Sequence, residues 1–178
     1  MNRFPTSILF FTLISLGLFS CTKVPSGSIT NLGDAEDIKA INAAIKAAYD
    51  GLSFTQDKKA DFEALDRLFI EKAIFRSFRQ GQMDVFYKEG YFADYQKAVE
   101  SGTFEAVVER EIGGYTQVFG KIAQRISSYE LFYNDLSKPQ ERGVNSFHLV
   151  KIDGEWKITS TIYDVEKSGQ AIPYYLLK

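Results

Sequence analysis

Apolar and polar residues alternate in the last third of the chain and predict a β-hairpin. Two runs rich in β-branched and aromatic residues, 144–152 and 155–165, flank Asp153-Gly154. Asp-Gly between such runs favours a type I′ turn, because both central positions of that turn need positive φ. The turn predicts that Ile152 pairs with Glu155, and this pair sets the register of the two strands.

The predicted register separates the hairpin into two faces, because directly opposed residues lie on the same side of a sheet. The face expected to be buried carries the larger apolar side chains: Phe147, Leu149, Trp156, Ile158 and Ile162. Asn145, Ser160 and Asp164 share this face. They either line a wet pocket or bond loop backbone and solvent near the strand ends.

Helical spacing dominates the first half of the chain and predicts three helices. Asp34 is the expected N-cap of the first helix, whose apolar face repeats every three or four residues up to about Gly51. That face consists of Ile38, Ile41, Ile45, Tyr49 and Leu52. Residues 57–70 and 91–101 are predicted as the second and third helices. Between them, residues 73–78 and 83–87 read as short strands.

From residue 104 the pattern has a period of two and predicts a sheet. Strands are expected at 104–112, 115–119 and 121–133, with Gly113, Gly114 and Gly120 as bends or bulges. Helices followed by a curved antiparallel sheet form an α+β plan, in which the sheet wraps the helices around a cone-shaped cavity. The tail 168–178 is too apolar to stay free and is expected to pack on the body.

The N-terminus has the pattern of a signal peptide. Arg3 precedes an apolar run, 8–19, that is too short to cross a bilayer. Leu18-Phe19-Ser20-Cys21 follows and resembles the lipobox of bacterial lipoproteins. The resemblance implies that residues 1–20 are removed and that Cys21 is lipidated, with 21–33 as a flexible tether and 34–178 as a domain in the cell envelope facing the periplasm or the exterior.

Charge and rare residues exclude several classes of function. The formal net charge is −2, or −3 once residues 1–20 are removed, without a long run of either sign. A nucleic-acid binder normally carries a basic patch, so no nucleic-acid partner is predicted. A single cysteine and a single histidine exclude an intrachain disulfide and leave no ordinary zinc ligand set. No metal or cofactor is expected.

Several segments resemble the nuclear transport factor 2-like superfamily, which includes SnoaL-like and ketosteroid isomerase-like domains. They are 119–130, 142–147, 153–158 and 172–174, and the likeness extends from about Asp34 to the C-terminus. It implies a cone-shaped α+β barrel of cystatin-like topology, with about three N-terminal helices packed into a strongly curved antiparallel sheet. It also implies frequent dimerisation through the outer sheet face and a central pocket.

The same resemblance implies that some members use the pocket for isomerisation, cyclisation or dehydration, whereas many others only bind ligands there. No motif in this chain assigns the catalytic roles. Tyr129 is a candidate pocket residue by the family pattern, although a core tyrosine with one hydrogen bond is the alternative. Arg76, and less so Arg79 and Arg110, could clamp a ligand carboxylate.

His148 lies on the face opposite Trp156 in the predicted register. It is therefore expected on the outer or dimer face of the sheet rather than as a general base.

The candidate ligand-binding residues are thus Arg76, Tyr129, Asn145, Ser160 and Asp164. Three functions remain open at this point. The first is a lipid-anchored domain that binds a small, apolar or amphipathic molecule. The second is an isomerase or dehydratase that uses a pocket carboxylate such as Asp164, and the third is a homodimeric interaction module without a ligand.

Overall fold

The computed structural model describes residues 30–177, in which three helices pack against one six-stranded sheet. The helices are α1 (Ala35–Leu52), α2 (Phe62–Leu68) and α3 (Lys88–Glu100). The strands are β1 (Phe69–Ser77), β2 (Asp84–Tyr87), β3 (Val107–Phe119), β4 (Ile122–Tyr133), β5 (Glu141–Ile152) and β6 (Glu155–Val165). The predicted signal peptide and most of the tether, including Cys21, lie outside the described residues.

The sheet has the strand order β2-β1-β6-β5-β4-β3 and confirms the predicted α+β plan. Its pairs are antiparallel except for β1 with β6, which run parallel. The expectation of a wholly antiparallel sheet is therefore wrong at this pair, because hydrophobic alternation specifies a strand's faces and not its direction. No helix within residues 30–177 is long and apolar enough to cross a membrane.

Helix α1 lies against the inner face of the sheet and supplies much of the core. The Asp34 side chain accepts hydrogen bonds from the backbone of Glu36 and Asp37, which confirms the predicted N-cap. The buried face of α1 includes Ile41 and Ile45, both fully buried among the apolar residues of β5 and β6. Helix α1 therefore fills the cone and sets how much of it stays open.

The β5–β6 hairpin has the predicted turn but not the whole predicted register. Asp153 and Gly154 both have positive φ, 50° and 86°, and Ile152 pairs with Glu155 as expected. The register shifts by one residue between Leu149 and His148, because Thr159 is an extra residue in β6. His148 consequently lies opposite Ser160, and it is exposed on the outer face as predicted.

This bulge reverses the faces of β6 beyond Thr159. Thr161 and Tyr163 lie on the concave side, whereas Ser160, Ile162 and Asp164 lie on the outer side. The prediction that Ser160 and Asp164 point inward is therefore wrong. Arg76 also lies on the outer side, since it pairs with Ile162 between the inward-facing Phe75 and Ser77.

Several element boundaries differ from those predicted. Helix α2 begins at Phe62 rather than 57, because Asp61 caps it by accepting a hydrogen bond from the backbone of Ala64. Strand β3 is one continuous strand with a bulge between Glu111 and Gly113, instead of two strands. The C-terminal tail packs on the body, as expected, through the buried Ile172 and Leu176.

Two helical glycines allow a matched test of the packing between α1 and α2. A Cβ atom added at Gly51 would lie 2.7 Å from Cγ of Leu65, which is fully buried and cannot move aside. Gly51→Ala should therefore lower the free energy of unfolding by about 1–3 kcal/mol. Gly90 in α3 has open space around its added Cβ. Gly90→Ala should raise stability by roughly 0.5–1 kcal/mol through helix propensity.

Urea unfolding of both variants checks this pair. Equal effects of the two substitutions would contradict the close contact between α1 and α2.

Candidate functional site

A cavity lies between α1 and the concave face of the sheet and has two adjoining parts. The inner chamber has a volume of about 50 Å³, and the outer part, here called the vestibule, has about 380 Å³. Both are lined by Leu52, Arg79, Tyr91 and Glu109, which shows that the two parts adjoin. The chamber is lined further by Ala48, Tyr49, Phe69, Phe75, Tyr129, Asn145, Phe147, Thr161 and Tyr163, and the vestibule by Tyr95, Phe104, Val107, Leu131, Tyr133 and Glu141.

The wall of the inner chamber carries several polar side chains, among them Asn145, Tyr49 and Thr161. Asn145 Nδ2 donates a hydrogen bond to the hydroxyl of Tyr49 at 3.0 Å. The hydroxyl of Thr161 is buried and has no hydrogen-bond partner among the described residues. A buried polar group without a partner costs on the order of 1–3 kcal/mol, so a rotation of the Thr161 side chain that brought this hydroxyl to a bound molecule would recover free energy.

A buried ion pair lies behind this wall. Arg125, only 6% exposed, donates from Nε and Nη2 to the two carboxylate oxygens of Glu111 at 2.9 and 2.8 Å. Its Nη1 donates to Asn42 Oδ1 and to Thr116 Oγ1. The guanidinium, which belongs to β4, therefore has partners on α1 and β3, as a buried charge requires.

A chain of hydrogen bonds joins the ion pair to the chamber. Ser127 Oγ donates to Glu111 Oε1 at 2.6 Å, so its hydroxyl can only accept at the 2.7 Å contact with the Tyr49 hydroxyl. Tyr49 then donates to Ser127 and accepts from Asn145. Donation runs in one direction from Asn145 to Glu111, and this fixes the orientation of the Asn145 amide in the chamber wall.

Glu109 is the carboxylate at the junction of chamber and vestibule. Desolvation raises its pKa to about 7, and the charge of Glu141 acts in the same direction. The charge of Arg79 and a hydrogen bond from Asn145 oppose this shift. A carboxyl with a pKa near neutrality can both donate and accept a proton at physiological pH.

Three residues meet at the rim of the cavity. Arg79 Nη2 and the Tyr129 hydroxyl both donate to Glu141 Oε1, at 2.7 and 2.8 Å. The Arg79 guanidinium also lies over the ring of Tyr163, 5.4 Å from its centroid. Burial and the nearby Glu141 charge raise the pKa of Tyr129, which therefore stays a neutral phenol and a hydrogen-bond donor.

The structure brings together only part of the predicted ligand-binding set. Tyr129 and Asn145 line the chamber, whereas Ser160 and Asp164 lie outside it because of the bulge in β6, and Arg76 lies outside it because it alternates with the buried Phe75 and Ser77. Partial burial raises the pKa of Asp164, but hydrogen bonds from Gln170 and from the backbone of Val165 outweigh it and lower the pKa below its usual value. Asp164 thus lies outside the pocket, and its lowered pKa makes it a weak proton acceptor.

Sequence reasoning missed Glu109, Arg125 and Thr161 and underrated Arg79. Arg125, Ser127 and Tyr129 alternate along β4, as do Glu109 and Glu111 along β3, so each set shares one face. The alternation alone therefore indicates charged side chains on one face of β3 and of β4. Because of the bulge in β3, it does not show that Glu111 is the partner of Arg125. Within residues 30–177, no three His, Cys, Asp or Glu side chains are grouped closely enough to hold a metal ion.

The buried ion pair generates a test. Arg125→Met leaves Glu111 without its cation in a partly buried site, so it should lower the free energy of unfolding by about 3–5 kcal/mol. Adding Glu111→Leu to Arg125→Met should recover much of the loss, because no unpaired charge remains. The control is Arg67→Met in the exposed Arg67–Glu63 pair, which should cost less than about 1 kcal/mol.

Chemical unfolding of all four proteins measures these values. A double variant as unstable as Arg125→Met alone would contradict the account of the ion pair.

Comparison with known proteins places this site within a known fold. Neither a protein-family model nor a curated protein matches the sequence. A protein of unknown function with a cystatin-like fold from Nostoc punctiforme superposes with a TM-score of 0.60 at 16% identity, over 78% of this chain and 97% of that one. An NTF2-like protein of unknown function from Silicibacter pomeroyi gives 0.54 at 20% identity, over 76% and 100% of the two chains.

A candidate dehydratase of the NTF2-like family from Streptomyces avermitilis also matches. Its TM-score is 0.59 at 15% identity, and the match covers 74% of this chain and 97% of that one. At such identities the likeness concerns the fold. The resemblance seen in the sequence is thereby confirmed at that level, and the chain has the cystatin-like, nuclear transport factor 2-like α+β fold.

Proposed function

We propose that this protein binds a small, partly apolar molecule in the inner chamber and vestibule. The observation that carries the proposal is a cavity whose lining is largely apolar and aromatic and includes a few polar side chains, among them Thr161, Asn145 and Glu109. Ligand sites of proteins are mostly apolar with a few placed polar groups, and this cavity has that composition. Thr161, Asn145 and Glu109 would orient the ligand, and the surrounding rings would supply contact area.

The size and lining of the cavity indicate the class of ligand. The vestibule, at about 380 Å³, falls at the small end of ordinary ligand sites, and the inner chamber admits only a group of a few atoms. Tyr91, Tyr95, Phe104 and Tyr133 give the vestibule flat aromatic walls. The cavity therefore suits a planar molecule of one or two rings whose single polar substituent reaches Thr161.

The proposal includes a location in the bacterial cell envelope. The segment Leu18-Phe19-Ser20-Cys21 after an apolar run supports lipid attachment at Cys21, with the domain facing the periplasm or the exterior. Dimerisation through the outer sheet face stays a prediction from the family resemblance.

Acid–base catalysis in the same cavity is the second candidate function. The specific observation is Glu109, whose pKa is raised to about 7 at the meeting point of chamber and vestibule. The Tyr129 hydroxyl lies in the chamber wall as well, but its one proton is donated to Glu141 Oε1. A carboxyl that gains and loses a proton near neutrality inside a cavity is the equipment of an isomerase or dehydratase, and it replaces Asp164 in that role.

Thr161→Val tests ligand binding directly, because it removes the unpartnered hydroxyl and keeps the shape of the side chain. The variant should be as stable as the parent or more so, since no hydrogen bond within the protein is lost. Its affinity for the retained ligand should fall about tenfold, which corresponds to about 1.4 kcal/mol. Native mass spectrometry of protein purified gently from its own organism measures the fraction that carries an additional small mass.

Thr159→Val is the matched control. The Thr159 hydroxyl donates to the backbone oxygen of His148 in the β5–β6 pair, outside the inner chamber. Ligand retention should therefore not change in this variant. Equal retention by the parent, Thr161→Val and Thr159→Val would count against the chamber as the binding site.

The raised pKa of Glu109 predicts a pH dependence of stability. The folded protein holds the Glu109 proton up to about pH 7, whereas an unfolded glutamate releases it near its ordinary value of 4.5. The folded state therefore binds more protons between these values, and stability should fall as pH rises from about 4.5 to 7. The contribution is on the order of 3 kcal/mol, because each pKa unit corresponds to about 1.4 kcal/mol.

Glu109→Gln should remove this fall, whereas Glu105→Gln, at an exposed position nearby, should keep it. Urea unfolding from pH 4.5 to 8 compares the slopes of the two variants with that of the parent, so that titrations common to all three cancel. A parent and a Glu109→Gln variant with parallel pH profiles would exclude a raised pKa and weaken the catalytic candidate.

A further inference from the structure

Four large apolar side chains are exposed together at one end of the sheet. Leu32, Phe119, Ile122 and Ile152 are 58%, 84%, 59% and 45% exposed. They belong to the segment before α1, to the β3–β4 turn and to the end of β5. These four residues are called the apolar end below.

Backbone contacts show that the apolar end is one surface. Leu32 donates to the Thr116 oxygen at 2.9 Å and accepts from Val118 at 2.8 Å, which holds it beside the end of β3. Lys151 donates from its backbone to the Lys121 oxygen at 2.9 Å. This bond brings the β3–β4 turn, with Phe119 and Ile122, next to Ile152.

Packing within the domain does not account for this surface. Phe119 and Ile122 flank the turn residues Gly120 and Lys121, and exposed aromatic and aliphatic residues at a turn lose the free energy that burial would provide. The charges at this end balance, because Lys151 pairs with Asp37 at 2.7 Å, Lys157 pairs with Glu155 at 2.6 Å, and the exposed Lys121 and Asp153 are of opposite sign. The apolar end therefore offers contact area and little net charge.

The chain leads from this surface towards the proposed lipid anchor. The described residues begin at Thr30, and Cys21 precedes Leu32 by eleven residues. Eleven residues span at most about 40 Å when fully extended. A lipid on Cys21 would thus hold the end of the domain that carries Leu32 within reach of the bilayer.

We propose that Leu32, Phe119, Ile122 and Ile152 insert into the interface of the lipid bilayer to which the chain is anchored. The proposal rests on the membrane attachment included in the proposed function, and not on ligand binding. Apolar side chains without strong charge fit the boundary between headgroups and acyl chains of a bilayer of any headgroup charge, so contact should not require anionic lipids.

Membrane contact at the apolar end fixes the direction in which the cavity opens. Tyr133 and Glu141 line the vestibule and lie at the opposite ends of β4 and β5 from Ile122 and Ile152. A strand of twelve residues is about 40 Å long. The mouth of the cavity would therefore face the aqueous phase, away from the bilayer.

A tryptophan placed at either end of β4 tests the orientation. The lipidated protein, purified from its own organism, is reconstituted in phosphatidylcholine vesicles that contain lipids brominated on their acyl chains, which quench tryptophan on contact. Phe119→Trp reports the apolar end. Leu136→Trp, an exposed apolar position in the loop at the far end of β4, is the matched control. The buried Trp156 provides the same background in both variants.

The expected result is that brominated lipid quenches more than half of the emission added by Phe119→Trp and leaves that of Leu136→Trp unchanged. Equal quenching of the two added tryptophans by brominated lipid, in protein that floats with the vesicles, would overturn the proposal without contradicting the anchor. Protection of Phe119→Trp from aqueous acrylamide without quenching by the lipid would overturn it in favour of a second copy or of residues 1–29. If the protein did not float with the vesicles, both the lipid anchor and the proposed membrane contact would be contradicted. The proposal of ligand binding does not depend on this result.

Discussion

The buried charge of Arg125 constrains the rest of this structure. A guanidinium removed from water must be paired and fully hydrogen-bonded, and Arg125 meets this demand through Glu111, Asn42 and Thr116. Glu111 and Thr116 belong to the neighbouring edge strand β3, and Asn42 belongs to helix α1. The position of α1 inside the cone is thereby coupled to the pairing of β3 with β4, and the depth left for the cavity follows from that coupling.

Two carboxylates on one face of β3 have different roles because their surroundings differ. Glu111 is held by a bidentate arginine and belongs to the scaffold. Glu109, two residues earlier, has no such partner and lies at the open part of the cavity, where desolvation raises its pKa. The hydrogen-bond chain through Asn145, Tyr49 and Ser127 joins the two environments.

Features set by local rules could be predicted from the sequence, and features set by pairing could not. The N-cap at Asp34, the apolar face of α1 and the type I′ turn at Asp153-Gly154 depend on a few adjacent residues, and all three are confirmed. The inward position of Asn145 followed from the same alternation. Ser160 and Asp164 were misplaced because one extra residue, Thr159, reverses every position after it, and nothing in its type or neighbours marks it. Arg79 and Glu109 line the chamber only because the whole sheet is curved, which the local sequence around them does not indicate.

The bulge at Thr159 has a consequence for how such pockets diverge in evolution. The segment after it pairs with β5 in a register shifted by one residue, and this shift decides which side chains face the interior. In this protein the set is a hydroxyl and a phenol, Thr161 and Tyr163. A slip of one residue would present Ser160, Ile162 and Asp164 instead, without any substitution in the strand. Movement of a single bulge is thus a route by which one scaffold can acquire a different interior chemistry in one step.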